Sequence, residues 1–564
     1  MASIVGKKRG NATYYYLVES ARVNGQPRII SQEYLGTADE LAAAMRGKGL
    51  GLPARTQHKD FGAAAAAWGM LDDLGVAAII DEVTGPRRSD AGASVGTYLA
   101  LAALGRLVAP CSKLAFADWW AGTAAGRFTG ISAPALDHRR FWDAMHAVGL
   151  DELEEISRRI ALAIVDASGV DCSSVALDMT NFATFLDTGN ERAPIAQRGK
   201  AKQKRADLRL VGLGLVVTRD GGIPLTWHAY PGDKPDVTQF PAMIDTLASR
   251  HEAICAASGQ VAADVTVVFD AGQNSAANFA HLAGTRLNYV GSVPASDCAG
   301  LTGLPASVRA VVDEDRFGGL TAYDTRREVY GAGRRTILTH SPELHEKQAR
   351  GFTGTTLAKA GRKLDELAAT LARGKTRRPR AKVEAEIGTI LHDTWARRVI
   401  TWQLAGDTPK EHRLTWRIDP GARAALEEEI FGKHVLITDH DDWPVAEVVA
   451  GYRSQAEAEA SFRQMKDPRV ASFSPMFHWT EHNIVVHVFT CVLALQLAHL
   501  MRRRAARAGL DLSVRALLAG IGETVLLYPG DRGRPRAHRM LTDTTPVQDK
   551  LIKIFGLDRY APRR

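Results

Sequence analysis

Three carboxylates and one cation stand where they could act together on a phosphate. Asp178 closes the apolar run Ser174-Val-Ala-Leu, and Asp270 closes Val265-Thr-Val-Val-Phe. A carboxylate at the end of a buried strand is held rigidly at a sheet edge, where open α/β sheets place their sites. Taken singly, each aspartate would more commonly cap a turn or the following helix. The third member lies in Gly451-Tyr-Arg-Ser-Gln-Ala-Glu-Ala-Glu-Ala-Ser-Phe-Arg-Gln-Met-Lys466, a stretch that is helical by composition. Tyr452, Glu459 and Lys466 are spaced there by seven. Seven residues at roughly 100° fall about 20° short of two full turns, so the three share one stripe. Such a stripe offers a metal-binding carboxylate, with a phenol and an ammonium beside it to hold a phosphate. Glu457 is the rival acid; two residues away, it points roughly 200° off and cannot face the same site. With Arg463 and Gln464 it fits a solvated face.

These residues need elements to position them. Residues 1–58 read as a small β unit, in which Tyr14 to Val23 and Arg28 to Leu35 flank Asn24-Gly25, a strong hairpin signal. A polar, Gly-rich linker is expected over Arg46 to Asp60. From Phe61 to Val165 the chain is Ala/Leu-rich and helical, broken near Gly85-Pro86, Pro110 and Pro134. Strand-like runs follow at Val175-Ala-Leu, Leu210 to Thr218, Ile223 to Tyr230 and Val265 to Phe269. A mixed region holds the charged helical stretch Leu364 to Leu371 and the basic run Arg373 to Lys382. Strand-like His434-Val-Leu-Ile-Thr then precedes helical Ala446 to Lys466 and Glu481 to Arg504. The segment between the strand blocks is too long for a loop and reads as an inserted domain. The expected divisions are thus 1–58, 61–165, a core at 170–290 and 434–510, an insertion at 291–433, and a tail at 511–564.

Composition sets the broad class. The 564 residues are 45% hydrophobic, 24% charged and 7% aromatic, which excludes a disordered or collagen-like chain. Net charge is +8 and pI about 9.2, an excess that suits a polyanion if the basic residues cluster. Five cysteines include no CxxC pair, which points to a reducing cytosol and no zinc knuckle. The opening residues do not form a secretory signal. The most apolar long run, Ile484 to Met501, is interrupted by His487, Gln496 and His499, so a soluble, cytoplasmic protein is expected. No P-loop is present, so no nucleotide cofactor is expected.

Asp178, Asp270 and Glu459 with the Tyr…Glu…Lys helix resemble the Asp-Asp-Glu transposases of bacterial insertion sequences, specifically the class-four group and its branch with a Tyr-rich N-terminal segment. Further stretches carry the likeness: Arg205-Ala-Asp-Leu, Leu213-Gly-Leu-Val-Val-Thr-Arg-Asp-Gly-Gly-Ile-Pro-Leu, Tyr230-Pro-Gly-Asp-Lys-Pro-Asp, Phe269-Asp-Ala-Gly and Phe431-Gly-Lys-His-Val-Leu-Ile-Thr-Asp. One departure is Gln455, where the signature usually has Arg; Arg453 stands beside the Tyr instead. The resemblance implies an α/β fold: an RNase H-like catalytic core with a mainly β insertion domain, preceded by a small β unit and a helical region that reads terminal-repeat DNA. Asp178 would lie on the first core strand, Asp270 on the fourth and Glu459 on a later helix.

The implied activity is cutting and joining of element ends by phosphodiester hydrolysis and strand transfer. Two Mg²⁺ ions, or Mn²⁺, would serve the attacking and leaving oxygens, and three acids without His or Cys fit such hard ions better than zinc. Double-stranded DNA is the implied partner, bound by a homodimer in the bacterial nucleoid. Lys466, with Tyr452 and Arg453, would contact phosphate. So would Lys200, Lys202 and Arg205 in the basic stretch Arg192 to Arg209. Most of Trp395, Trp402 and Trp416 are better read as core than as base-stacking groups, and His478, His482 and His487 as structural. The rival functions are an RNase H-fold nuclease without strand joining and a transposase-derived DNA-binding protein without catalysis.

Overall fold

Uninterrupted runs of Val, Leu and Ala suit strands covered on both faces, and the runs ending at Leu177 and Phe269 lie side by side at the centre of a nine-stranded mixed sheet. In the computed structural model the described residues are 2–562, apart from 10–11, 24–25, 48–52, 87–91, 188, 201–206, 259–263, 299, 376, 518 and 529–535. They form two units. One comprises Met1–Val148, Arg469–Pro475 and Met501–Arg564; the other comprises Gly149–Pro468 and Met476–Leu500.

The second unit holds the sheet. Its strands are β1 (Ser174–Thr184), β2 (Arg209–Thr218), β3 (Pro224–Pro231), β4 (Val265–Phe269), β5 (Leu287–Val293), β6 (Ala310–Val311), β7 (Thr321–Val329), β8 (Ala332–His340) and β9 (Lys433–Thr438). They lie in the order β6-β7-β8-β9-β5-β4-β1-β2-β3. β1, β2 and β3 form an antiparallel meander, while β4 runs parallel to both β1 and β5. Side chains alternate between faces along a strand. Val175, Leu177 and Met179 of β1 and Val265, Val267 and Phe269 of β4 therefore share one face. They pack there with Phe240, Met243 and Phe279 of helices α2 (Phe240–Ser258) and α3 (Ala276–Ala283); α1 (Leu150–Ser168) precedes the sheet. On the other face, Val268 joins a cluster with Val448 and Val449 of α4 (Val445–Arg453). Asp178 and Asp270 have the parity of that second face.

Close approach within β2 requires glycine. A Cβ on Gly212 would sit 2.2 Å from the ring of Tyr230 on β3. That ring is buried, and its hydroxyl donates to Asp236 Oδ1 (2.7 Å).

Four expectations change. The segment after β5 is not a mainly β insertion domain. Its strands β6, β7 and β8 extend the core sheet, with β9 inserted between β8 and β5. The rest is mostly helical around the hairpin Ile400–Ala405/Arg413–Ile418, on a core that includes Leu364, Leu371, Val383 and Phe431. The helix expected over Ala446 to Lys466 is two helices, α4 and α5 (Gln455–Lys466). They meet at buried Ser454, whose N–H (3.0 Å) and hydroxyl (2.6 Å) both donate to the Gly451 carbonyl. A stripe drawn from Tyr452 through Glu459 therefore crosses a turn, whereas Glu459 and Lys466 share one helix. The helical region 61–165 divides at Val148, leaving α1 with the sheet. Finally, 511–564 is not a tail.

The first unit shows why. Gly522–Tyr528 is the middle strand of a three-stranded sheet, between Arg55–Asp60 and Arg536–Leu541. Residues expected as linker and tail thus pair with each other. Arg127 donates twice to Glu523 Oε2 (3.1 and 2.6 Å), a side chain only 1% exposed, and Arg559 pairs with Asp73 (2.7 Å). The helices Gly62–Asp73, Val76–Thr84, Val95–Val108, Lys113–Ala121 and His138–His146 belong to this unit. The N-terminal strands Ala2–Arg9, Ala12–Val23 and Gln26–Thr37 form their own antiparallel sheet, paired through Val23↔Gln26 around the expected hairpin turn. Asn24 and Gly25 themselves lie outside the described residues.

The last long helix, α6 (Glu481–Arg507), contains an 18-residue window of mean hydropathy 2.0, long and apolar enough to cross a membrane. That window is 94% buried within the protein, which accounts for its composition without a lipid phase.

Gly212→Ala is expected to lower unfolding free energy by about 1–3 kcal/mol through overpacking against Tyr230. Gly214→Ala, whose Cβ would meet the flexible Met243 thioether at 2.8 Å, should cost less. Urea midpoints at constant slope measure both, and equal effects would refute the close-approach reading. Glu523→Ala should destabilise the first unit by about 1.5–3 kcal/mol by removing a charged acceptor of Arg127, which keeps the Tyr560 carbonyl; an unchanged thermal transition would count against that pairing.

Candidate functional site

The site starts from a difference in strand length. β1 runs six residues beyond Asp178, supported along that length by β2 from Val175↔Thr218 to Thr184↔Arg209. Its other neighbour, β4, stops after Phe269, and the last parallel couple is Leu177↔Phe269. Asp178 is therefore mid-strand rather than terminal, yet it is the first β1 residue with no β4 residue paired beside it. Asp270 follows immediately on the neighbouring strand with extended backbone (φ −92°, ψ 170°). Adjacent strands lie about 4.8 Å apart, so the register sets the two carboxylates side by side.

Local hydrogen bonds orient them. Asp178 Oδ1 accepts from the Met179 N–H (2.7 Å). Asp270 Oδ1 accepts from the Gly272 N–H (2.6 Å), capping a short 3₁₀ turn whose Ala271 N–H donates to Ser292 Oγ (3.1 Å) on β5. Asp270 is thus both a cap and a site residue, so the commoner structural role does not exclude the other.

Helix α5 brings the third acid. Gln455 Nε2 donates to the Leu177 carbonyl (2.9 Å), and Lys466 Nζ donates to Thr180 Oγ1 (2.9 Å) while sitting 5.6 Å from the Phe182 ring centroid. The two ends of the helix thus touch β1 just before and just after Asp178. Glu459 is one turn beyond Gln455 and exposed, on the side that Gln455 and Lys466 turn toward β1. Glu457 lies elsewhere: a Cβ built on Gly222 would meet its Oε2 at 2.7 Å, at the β2–β3 turn.

Tyr452 feels the charges of both Glu459 and Asp270. Its half-buried phenol is pushed up from the ordinary range by desolvation, opposed by a hydrogen bond with the Ser292 side chain, and raised further by the charges of Asp270 and Glu459. His434, whose ring centroid is 6.1 Å from that of Tyr452, also feels Asp270. Tyr230 feels both Asp236 and Asp178, and burial is the main cause that raises its phenol. Ser292, Thr180, His434 and Tyr230 were not singled out as site residues. Only the matches at Tyr230-Pro-Gly and Phe431-Gly-Lys-His pointed near two of them.

The remaining predicted contacts scatter. Arg453 stacks on Phe317 (4.5 Å). Lys200 is exposed, and its carbonyl accepts from Asn181 Nδ2 (3.2 Å), which holds Lys200 beside β1. Lys202 and Arg205 lie outside the described residues. In the run Arg373 to Lys382, Arg378 pairs with Glu386 and Arg380 with Glu384, which offsets two of its six cations. Trp395 packs on Phe431, and Trp416 Nε1 donates to Asp365 (2.8 Å), as core residues do. His478 and His487 are buried in ring contact, with His487 against Cys491 (3.4 Å).

Among the described residues, no three His, Cys, Asp or Glu side chains are gathered tightly enough to hold a metal ion. The donors of Asp178, Asp270 and Glu459 are nevertheless all hard carboxylate oxygens, the type Mg²⁺ and Mn²⁺ take. Asp178 and Asp270 have the parity of one sheet face, and Glu459 stands on the helix whose two ends contact β1.

No family model matches the chain, and no curated protein matches it. Among solved structures, a cryo-EM structure of a piggyBac transposase synaptic complex with hairpin DNA is similar over 81% of this chain and 77% of that chain, at 7% identity and a TM-score of 0.35. A likeness that slight assigns this chain neither an activity nor a site.

Proposed function

We propose that the chain is a DNA transposase of the Asp-Asp-Glu type, cutting insertion-sequence ends and joining them to target DNA. The observation that carries this reading is the register Leu177↔Phe269, which sets Asp178 and Asp270 side by side on neighbouring parallel strands. The arrangement of β1 to β5, in spatial order 3-2-1-4-5 with only the second strand antiparallel to the first, third, fourth and fifth, supports an RNase H-like core. The resemblance to the class-four insertion-sequence group supplies the reaction class.

In this reading Asp178, Asp270 and Glu459 hold Mg²⁺ or Mn²⁺. Bound there, a pair of such ions would lower the pKa of a nucleophilic water and stabilise the leaving oxygen of an in-line displacement. The protein's own groups do the positioning. Lys466, fixed over Thr180, offers its ammonium to the phosphate beside the cut. The Tyr452 hydroxyl, kept protonated, donates to a phosphate oxygen or to the acids that flank it. Lys200 and its neighbours neutralise backbone phosphates along β1. The chain would act in the cytoplasm, on the nucleoid, as a dimer that cuts two ends together.

Mg²⁺-dependent cleavage and strand transfer, measured on DNA carrying the source element's terminal repeats, test this directly. Asp178→Asn, Asp270→Asn and Glu459→Gln should each lose more than about 100-fold, since even residues behind metal ligands cost 10- to 100-fold. EDTA should abolish both steps, and Mn²⁺ should restore them. Cleavage without joining would favour a nuclease. Binding without either step would favour a protein that has lost catalysis, and full activity in Glu459→Gln would remove that residue from the site. Lys466→Ala should weaken binding of the same DNA about tenfold and make the slope of log affinity against log salt shallower by about 0.9. An unchanged slope would mean that this ammonium does not reach a phosphate.

A further inference from the structure

Beyond the acids, β1 leads to an exposed cluster of rings that the catalytic reading does not use. Phe185, just past the strand, is 69% exposed; Phe477 is 66% and Trp479 52% exposed. Phe185 and Phe477 are the two most exposed aromatic residues among those described. With Met476, the three line one open recess of about 550 Å³, brought together from segments nearly 300 residues apart in sequence. The recess is built rather than loose. Asn190 Nδ2 donates to the Trp479 carbonyl (2.8 Å), the Glu481 N–H donates to the Arg192 carbonyl (2.9 Å), and the Arg192 guanidinium lies 4.9 Å from the Trp479 ring centroid.

We propose that this recess is a stacking platform for unpaired DNA bases of the strand that the neighbouring carboxylate site engages; the proposal rests on the function given above. Three arguments select this occupant. Exposed rings stack on any base, because every base has a π-face. The segment that frames the recess carries exposed Arg192, Arg198 and Lys200 against Asp187 and Glu191, a cationic excess suited to phosphates. The recess also continues a line of groups along β1, from Asp178 through Lys466 over Thr180 and Phe182 to Phe185, about 23 Å at 3.3 Å per residue. A protein partner fits less well. Three rings half to two-thirds exposed offer roughly 400 Å², about half of the 800 Å² that one side of a standard interface buries.

The test uses the full chain in EDTA, where no cleavage occurs, and a fluorescein-labelled oligothymidylate beside an abasic backbone of equal length. Anisotropy should show the Phe477→Ala/Trp479→Ala double variant binding oligothymidylate 10- to 100-fold more weakly, with abasic binding and thermal midpoint unchanged. Trp479→Phe should stay within about threefold of wild type, because a ring remains. Equal affinity of double variant and wild type for oligothymidylate would overturn the platform. So would equal affinity of wild type for the two probes. A shift from dimer to monomer on sedimentation, at unchanged oligothymidylate affinity, would make the rings a protein interface instead. Failure of Mg²⁺-dependent cleavage in wild type would defeat the transposase reading while leaving these binding results to stand.

Discussion

The parallel pairing of β1 with β4 is the constraint on which the rest depends. Hydrogen bonding between the strands fixes which residues are opposite each other, and a slip of one position would turn every side chain to the other face. With Leu177 against Phe269, odd positions fill the apolar core beneath α2 and α3, and even positions carry the acids to the face covered by α4 and α5. The hydrophobic effect thus specifies the register, and the register specifies where two negative charges meet. Bringing like charges together is unfavourable, and core packing supplies what holds them there.

The same logic extends to α5. Its docking uses polar contacts to β1 at both ends, Gln455 to a carbonyl and Lys466 to a hydroxyl, rather than an apolar stripe alone. These contacts fix the helix along the strand to within a fraction of a turn, which a greasy interface does less well. Gln455 is also where the insertion-sequence signature usually has arginine. A neutral amide buried against the Leu177 carbonyl does not carry a charge into that contact, and in this chain the arginine next to Tyr452 stacks on Phe317 instead.

How much of this was legible in the sequence varies with the range of the interaction. β1, β2 and β4 could be read from local apolar runs, and Asp178 and Asp270 from their ends, because a strand buried on both faces leaves a continuous signature. Glu459 and Lys466 could be read from helical spacing. The break at Ser454 could not, since it depends on one side chain bonding three residues back. Arg55-Thr-Gln-His-Lys-Asp has no strand signature at all; it becomes a strand only because Gly522–Tyr528, far along the chain, pairs with it. β6 to β8 were hidden for the opposite reason. Their apolar residues looked like the start of a separate domain, whereas their hydrogen-bonding edge joins them to the core sheet.

That pairing of Arg55–Asp60 with Gly522–Tyr528 has a consequence for how the protein is made. During synthesis, N-terminal domains ordinarily fold first as the chain emerges. Here the first unit lacks its central strand, and the partners of Arg127 and Asp73, until Gly522–Tyr528 and Arg559 have left the ribosome. The sheet that carries the acids has all its strands far earlier. The order of maturation is inverted: the later-encoded unit can complete its strands first, while the earlier-encoded one waits through the long loop closure that joins its two ends. A ribosome stalled between Thr438 and Gly522 would hold a chain whose acid-bearing sheet has all its strands and whose first unit does not.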